Sequence, residues 1–129
     1  HQVELELMIL KPNMVTSGKS HKPFSTPEEV AAFTIAVFRN NVPASVPSIN
    51  FLSGGQSPKQ ATINLNAINQ SEMKKPWMLS FSYGRALQED CLKIWKGNPN
   101  HIEAAQKALY HRTTLNSLAS LGQYSEDME

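Results

Sequence analysis

Three times along this chain a short apolar run gives way to a loop and then to a helix-patterned segment, and that alternation restricts the fold more than any other feature. The first run is Val3 to Leu10. Glu4 and Glu6 alternate with Val3, Leu5 and Leu7, and Met8-Ile9-Leu10 then runs apolar without a break. An unbroken apolar run fits a strand covered on both faces, as in a parallel sheet. Pro12 ends it, because proline cannot donate to a strand ladder. After a polar loop, Thr26 is set as an N-cap, Pro27 as the first helical residue and Glu29 as the partner of a capping box. Val30, Ala31, Phe33, Thr34, Val37 and Phe38 then recur at helical spacing, and Asn40 and Asn41 close the segment.

The second unit predicts a strand over Ser48 to Leu52, a tight Ser53-Gly54-Gly55 loop, and a helix from Ser57 as cap and Pro58 to about Asn69. The third predicts a strand over Trp77 to Ser82, a Tyr83-Gly84-Arg85 loop and a helix over Ala86 to Trp95, broken by Gly97-Asn98-Pro99. Asn100 is the expected cap of a last helix, with Glu103 at its third position and Gly122 as its stop. Residues 123–129 are polar and expected to form a loose tail.

Strands alternating with helices imply an α/β fold with a parallel sheet. Three strands alone leave two exposed edges, whereas a complete (β/α)8 barrel needs eight strands in about 250 residues. The expected architecture is therefore the C-terminal three βα units of a (β/α)8 TIM barrel plus a terminal helix, with residues 1–122 in the barrel domain and 123–129 starting a flexible tail. The opening at His1, almost directly inside a strand pattern, fits that expectation.

Composition removes several function classes. The formal net charge is +1, so no basic field calls for nucleic acid. No run of about 20 apolar residues is present for a membrane helix, and no charged region followed by an apolar run marks a signal peptide. Cys91 is the single cysteine, which excludes an internal disulfide framework and fits a reducing compartment. His21, His101 and His111 have no metal-ligand spacing, and Cys91 has no neighbour pattern that would activate it.

The candidate chemistry sits where the strands end. Lys11, Ser53-Gly54-Gly55 and Tyr83-Gly84-Arg85 each follow a strand, so all belong to the C-terminal edge of the sheet, the face on which barrels build active sites. Gly54 and Gly55 let backbone approach a phosphate closely, the helix behind them offers free N–H groups, and Arg85 adds a charged clamp. A Ser-Gly-Gly loop on its own is as often a plain turn; two such loops on adjacent strands favour phosphate. Lys11 directly after an apolar run can be a nucleophilic amine, since desolvation or a nearby cation favours the neutral form that condenses with a ketone. On its own, however, a lysine so placed is more often a snorkelling strand-end residue.

Longer segments alter that balance. Leu10-Lys11-Pro12-Asn13-Met14-Val15-Thr16, Phe51-Leu52-Ser53-Gly54-Gly55-Gln56-Ser57, Asn64-Leu65-Asn66-Ala67-Ile68-Asn69, Pro76-Trp77, Phe81-Ser82-Tyr83-Gly84-Arg85-Ala86-Leu87-Gln88, Asn116-Ser117-Leu118-Ala119 and Gly122-Gln123-Tyr124 occur in one order. Together they resemble the class I fructose-bisphosphate aldolases, from about Leu5 to Tyr124. The resemblance implies a lyase that reversibly cleaves fructose 1,6-bisphosphate into dihydroxyacetone phosphate and glyceraldehyde 3-phosphate. It implies that Lys11 forms an imine with the C2 carbonyl, and that the backbone at Ser53, Gly54 and Gly55, with Gly84 and Arg85, holds the C1 phosphate. Ser82 then lines the pocket. It also implies no metal and no cofactor, a homotetramer, and a cytoplasmic location with a plastid form as the alternative.

Departures from the family pattern are as informative. The family's acidic aspartate, its two glutamates and two further lysines come from earlier strands, and Glu4 and Glu6 do not replace them. Leu7 stands where the family often has glycine. The family's terminal tyrosine has no counterpart in Ser125-Glu126-Asp127-Met128-Glu129, and Tyr124 does not fill that role. The competing expectations are another phosphate-binding barrel without imine chemistry, and a non-catalytic segment or interaction surface lacking the upstream acid–base residues.

Overall fold

The computed structural model describes all residues, His1 to Glu129. Three parallel strands lie side by side in the order of the chain: β1 (Ile9–Leu10), β2 (Ser48–Phe51) and β3 (Met78–Phe81). Leu10 pairs with Ile49, and Phe51 with Phe81. The helices are α1 (Pro27–Asn41), α2 (Pro58–Gln70), α3 (Arg85–Trp95) and α4 (Ile102–Ser120). Ile49, Phe51 and Leu79 of the strands are buried against Val30, Ile35 and Phe38 of α1 and Leu65 and Ile68 of α2. Leu115 and Ala119 of α4 complete that core. The rings of Phe38 and Phe51 stack with centroids 5.7 Å apart, and Trp77 meets Phe38 edge-on.

Local chemistry explains where the helices begin. Thr26 Oγ1 accepts from Glu29 N–H at 3.2 Å while Glu29 Oε2 accepts from Thr26 N–H at 2.8 Å, so the expected capping box is complete. Ser57 Oγ accepts from Gln60 N–H at the start of α2. At the other end of α2, Lys75 Nζ donates to the carbonyls of Ile68, Asn69 and Ser71, which have no helical partner. Gly122, at φ +70°, ends α4 as expected. Its N–H and that of Gln123 turn back onto Ala119 and Leu118, a Schellman closure that favours glycine.

The first strand differs from its sequence pattern. Only Ile9–Leu10 pairs; Leu5–Leu7 forms a 3-10 turn instead. The expectation of a strand covered on both faces is also overturned: Ile9 is 62% and Leu7 85% exposed. The physical reason is position. β1 is the outer strand, with β2 on one side and nothing of this chain on the other. In β2, too, only one face is buried, Ile49 and Phe51 alternating with half-exposed Ser48 and Asn50.

The entry into α4 differs as well. Asn98, not Asn100, provides the cap: its Oδ1 accepts from Asn100 N–H, and Pro99–His101 forms a 3-10 turn ahead of the helix. Pro99 is the cause, since proline fits the first position of a helical turn and moves the cap to the residue before it.

Residues 123–129 are docked, against the expectation of a loose tail. Tyr124 is buried and its N–H donates to Asn66 Oδ1 of α2. Glu129 accepts from Arg112 at 2.9 and 2.7 Å and from the Tyr124 hydroxyl at 2.9 Å. Arg112 is only 6% exposed, so an unpaired guanidinium there would be costly. The hydrogen bonds from Arg112 hold the Glu129 carboxyl below its ordinary value of 4.5. A carboxylate depressed in the docked state favours docking at neutral pH and loses that contribution as pH falls through its docked-state value. Amide hydrogen exchange should therefore show residues 124–129 protected near neutrality and released below about pH 4.5. In Glu129→Gln the protection of those amides, relative to their intrinsic exchange, should lose that pH dependence.

Candidate functional site

The ladders continue past the strands. Leu52 N–H donates to Pro12 C=O at 3.0 Å, and Ser82 N–H donates to Phe51 C=O at 2.8 Å. These two bonds hold the three following loops at one edge of the sheet. Lys11 leaves β1, Ser53 follows β2 with Leu52 between, and Ser82 leaves β3.

The loop after β2 is a tight turn in which Gln56 N–H donates to Ser53 C=O at 3.0 Å. Its central residues, Gly54 and Gly55, have φ +59° and +86°, which side chains rarely tolerate. Space is a second constraint. A Cβ on Gly54 would stand 2.4 Å from Asn13 Oδ1, so the Asn13 side chain occupies the place that a side chain would need. Asn13 is itself held, its Oδ1 accepting from Met14 N–H at 3.0 Å. The loops after β1 and β2 thus meet at Gly54.

The loop after β3 meets the same turn from the other side. Arg85, the first residue of α3, brings Nη2 to 4.0 Å from the position a Cβ of Gly55 would take. Its guanidinium makes no hydrogen bond or ion pair within the chain, so its donors are free. Tyr83 fixes this loop: it is buried, and its hydroxyl donates to Ala61 C=O of α2 at 3.0 Å. Burial pushes the Tyr83 phenol up from its usual range, keeping it a neutral donor. Ser53 is buried and Ser82 half-buried; Gly84 and Lys11 are exposed.

The backbone donors around this edge are unspent. The N–H groups of Ser53, Gly54 and Gly55 donate to nothing in the chain, and neither do those of Tyr83 and Gly84. Successive free N–H groups in a turn form a concave, partly positive receptor for an anion. The helices α2 and α3 behind them carry no acidic residue in their first turns, whereas α1 carries Glu28 and Glu29. Their N-terminal ends add to that field rather than opposing it.

The expected residues accordingly divide into two groups. Gly54, Gly55 and Arg85 come together, with Ser53, Ser82 and Gly84 on the loops that carry them. Lys11 shares the edge but forms no side-chain hydrogen bond or ion pair. Asn13 was legible only as part of the Lys11 segment, and nothing in its residue type marked it as the spacer against Gly54. No group of three or more His, Cys, Asp and Glu side chains comes together anywhere in the chain.

The chain is an α/β protein that gathers free backbone donors, a free guanidinium and a lysine on one edge of a parallel sheet, an arrangement able to receive an anion. The comparisons with known proteins narrow this. The family model described as "Glycolytic: Fructose-bisphosphate aldolase class-I" matches residues 1–129. A non-muscle-type fructose-bisphosphate aldolase of Lethenteron camtschaticum is 53% identical over 124 residues, covering 96% of this chain and 34% of that protein. The chloroplastic fructose-bisphosphate aldolase 3 of Arabidopsis thaliana is 54% identical over 129 residues, 100% of this chain and 32% of that protein. The solved aldolase of Plasmodium falciparum, in complex with TRAP and a small-molecule inhibitor, superposes with a TM-score of 0.91 at 44% identity. It covers 96% of this chain and 35% of its own.

The chain belongs to the class I fructose-bisphosphate aldolase family. It spans about a third of the length of the curated relatives it matches. Those relatives include cytosolic and chloroplastic aldolases, and no helix here is long and apolar enough to cross a membrane.

The meeting at Gly54 gives a direct test. Gly54→Ala puts a side chain at positive φ and against Asn13, and should cost at least about 1 kcal/mol of stability by chemical denaturation. In the double variant with Asn13→Ala the steric part is relieved. The double-mutant cycle should therefore show a favourable coupling of about 0.5 kcal/mol or more.

Proposed function

We propose that this chain is the C-terminal three βα units of a (β/α)8 barrel, and that the whole protein reversibly cleaves fructose 1,6-bisphosphate through an imine at Lys11. The observation that carries this reading is the run of unspent N–H groups at Ser53, Gly54 and Gly55 beneath the free Arg85 guanidinium, on the strand edge that also carries Lys11. An anion receptor beside an amine suits a substrate that is both a phosphate ester and a ketone.

In this reading the C1 phosphate lies on the backbone of Ser53, Gly54, Gly55 and Gly84, with Arg85 as its charged partner and Ser82 lining the pocket. Lys11 Nζ adds to the C2 carbonyl, and loss of water leaves an iminium. The C3–C4 bond then breaks with its electron pair moving towards the iminium, giving an enamine and releasing the aldehyde product. The C4 hydroxyl proton goes to a base on one of the strands that precede β1 in the whole barrel. Those strands also close over Lys11, which is exposed in this chain alone, and exclude the water that keeps an amine protonated. The active form is a homotetramer in the cytosol, with a plastid as the alternative location.

A specific observation favours one second reading for the 129 residues on their own. With Ile9 and Met78 exposed at opposite edges of the sheet, the isolated chain is a non-catalytic segment, and purified alone it turns over no substrate.

Borohydride reduction of the whole protein in the presence of fructose 1,6-bisphosphate should leave a stable adduct on Lys11, found by peptide mass spectrometry. Lys11→Met should abolish the adduct and lower turnover by about 10³-fold or more. Full activity in that variant would overturn the reading. Arg85→Ala removes charged hydrogen bonds of about 1.5–3 kcal/mol, so kcat/KM should fall by about ten- to a hundred-fold. The fall should be smaller for a substrate analogue without the C1 phosphate.

A further inference from the structure

Gly54 and Gly55 also border a cavity of about 350 Å³, which lies between the loop after β1 and the first turns of α2. Lys11, Ser53, Ser82, Gly84 and Arg85 take no part in its lining. Its volume suits a small ligand, and its walls are chemically specific. On one side is a relay of carboxamides. Gln60 Nε2 donates to Asn64 Oδ1 at 3.1 Å, Asn64 Nδ2 donates to Gln56 Oε1 at 2.7 Å, and Gln56 Nε2 reaches Met14 Sδ at 3.6 Å. Asn64, in the middle, is 2% exposed and has both of its polar atoms engaged. The relay fixes the direction of each amide, and it leaves Gln60 Oε1 as a free acceptor.

The opposite wall comes from the loop after β1. Ser17 Oγ accepts from Ser25 N–H at 3.2 Å and keeps its own proton to donate. The Thr16 hydroxyl has no partner in the chain. Lys19 is the only charged side chain in the lining, and it makes no hydrogen bond or ion pair. Phe24 supplies an apolar surface, its ring carrying Lys22 Nζ at 3.3 Å from the centroid. The lining therefore has hydroxyls and amides for a polyol, one free ammonium for an anion, and no carboxylate to repel one.

We propose that this cavity is a second small-molecule site, adjoining the substrate site across Gly54 and Gly55, and that it takes a small polyhydroxylated anion. The anionic head meets Lys19 while the hydroxyls meet Gln60, Ser17 and Thr16. Gly54 and Gly55 wall this cavity and also form the turn that meets Arg85, and the Gln56–Met14 contact joins the cavity to the segment that carries Lys11. An occupant therefore restrains the turn that receives the substrate phosphate. That regulatory consequence rests on the function proposed above; occupancy of the cavity does not.

The test is titration calorimetry of the whole protein in an Arg85→Ala background, which weakens the substrate phosphate site, with D-sorbitol 6-phosphate, gluconate and sorbitol as probes. The expected result is a binding event with at least one of the two anions. Lys19→Met should weaken it about tenfold, the loss of one charged hydrogen bond, and Gln60→Leu should weaken it independently. Uncharged sorbitol should bind at least about tenfold less tightly. Comparison of the phosphate ester with gluconate assigns the head group. No binding of either anion, or binding indifferent to both Lys19→Met and Gln60→Leu, would overturn the proposal. Lys19 and Gln60 belong to neither the imine chemistry nor the substrate phosphate contacts, so a failure of trapping at Lys11 leaves this experiment intact.

Discussion

Everything at the candidate site depends on the parallel register of β1, β2 and β3, carried one step beyond the strands themselves. A strand pair fixes only the residues within it. Here Leu52 N–H reaches back to Pro12 C=O, and Ser82 N–H to Phe51 C=O. The chain is thus still registered at the point where each loop departs. With neighbouring strands about 4.8 Å apart, three loops leaving at one level lie close enough to act on one small ligand. The two glycines then set the height of the middle loop. One lets Asn13 approach and the other lies under Arg85, so the turn is wedged between its neighbours.

Helix α2 transmits that order to the rest of the chain, and it does so through polar side chains. Thr62 donates to Asn116 of α4, Asn66 accepts from the tail at Tyr124, Asn69 donates to Leu79 C=O of β3, and Gln70 donates to Gly122 C=O. The carbonyl of Ala61 holds Tyr83 and with it the loop after β3. Thr62 and Asn64 are buried, where an unmatched polar group costs about 1–3 kcal/mol, so these pairings specify one arrangement over slipped alternatives. An apolar helix of equal volume would hold the sheet but not the angle at which the loops meet. The same logic explains the docked tail: Arg112, buried and shared between Thr62 and Glu129, gives the last residues a partner to fold back onto.

How much of this was legible beforehand follows from the range of the forces involved. The helices that begin at Pro27 and Pro58 lie close to the sequence pattern, because capping and proline preferences act within one turn; α3, which has no side-chain cap, lies close to it because the Tyr83-Gly84-Arg85 loop and Gly97-Asn98-Pro99 bracket it. β2 and β3 were found to within a residue at each end. β1 was not: its apolar run gave the right location but the wrong length and burial, since cover for an outer strand comes from partners that the run itself does not encode. Asn100 reads as the cap because Gly97-Asn98-Pro99 reads as the break after the previous helix, whereas Pro99 starts the next turn with Asn98 as its cap. The tail read as loose because Ser125-Glu126-Asp127 is polar, and the buried arginine that receives Glu129 lies 17 positions away. At the site, glycine and lysine types marked the loops that the fold brings to one edge of the sheet. The meeting of Asn13 with Gly54 is a tertiary contact and left no local signal.

Anion recognition and nucleophile activation are built with different degrees of independence. In the proposed reading the phosphate receptor draws on these residues alone: its donors are backbone groups, their orientation is set by a turn that favours glycine, and its cation is Arg85 at the first position of α3. Such a receptor needs little from outside, because peptide N–H groups carry their partial charge wherever the backbone holds them. An amine is different. Its nucleophilicity depends on how much water surrounds it, and dehydration is a property of the whole enclosure rather than of the strand that bears it. In the proposed reading Lys11 takes its position from β1 and its reactivity from the strands that close over β1. In the proposed barrel the same packing that covers Ile9 also dries Lys11, so the burial missing from the outer strand and the desolvation missing from the amine are one physical deficit.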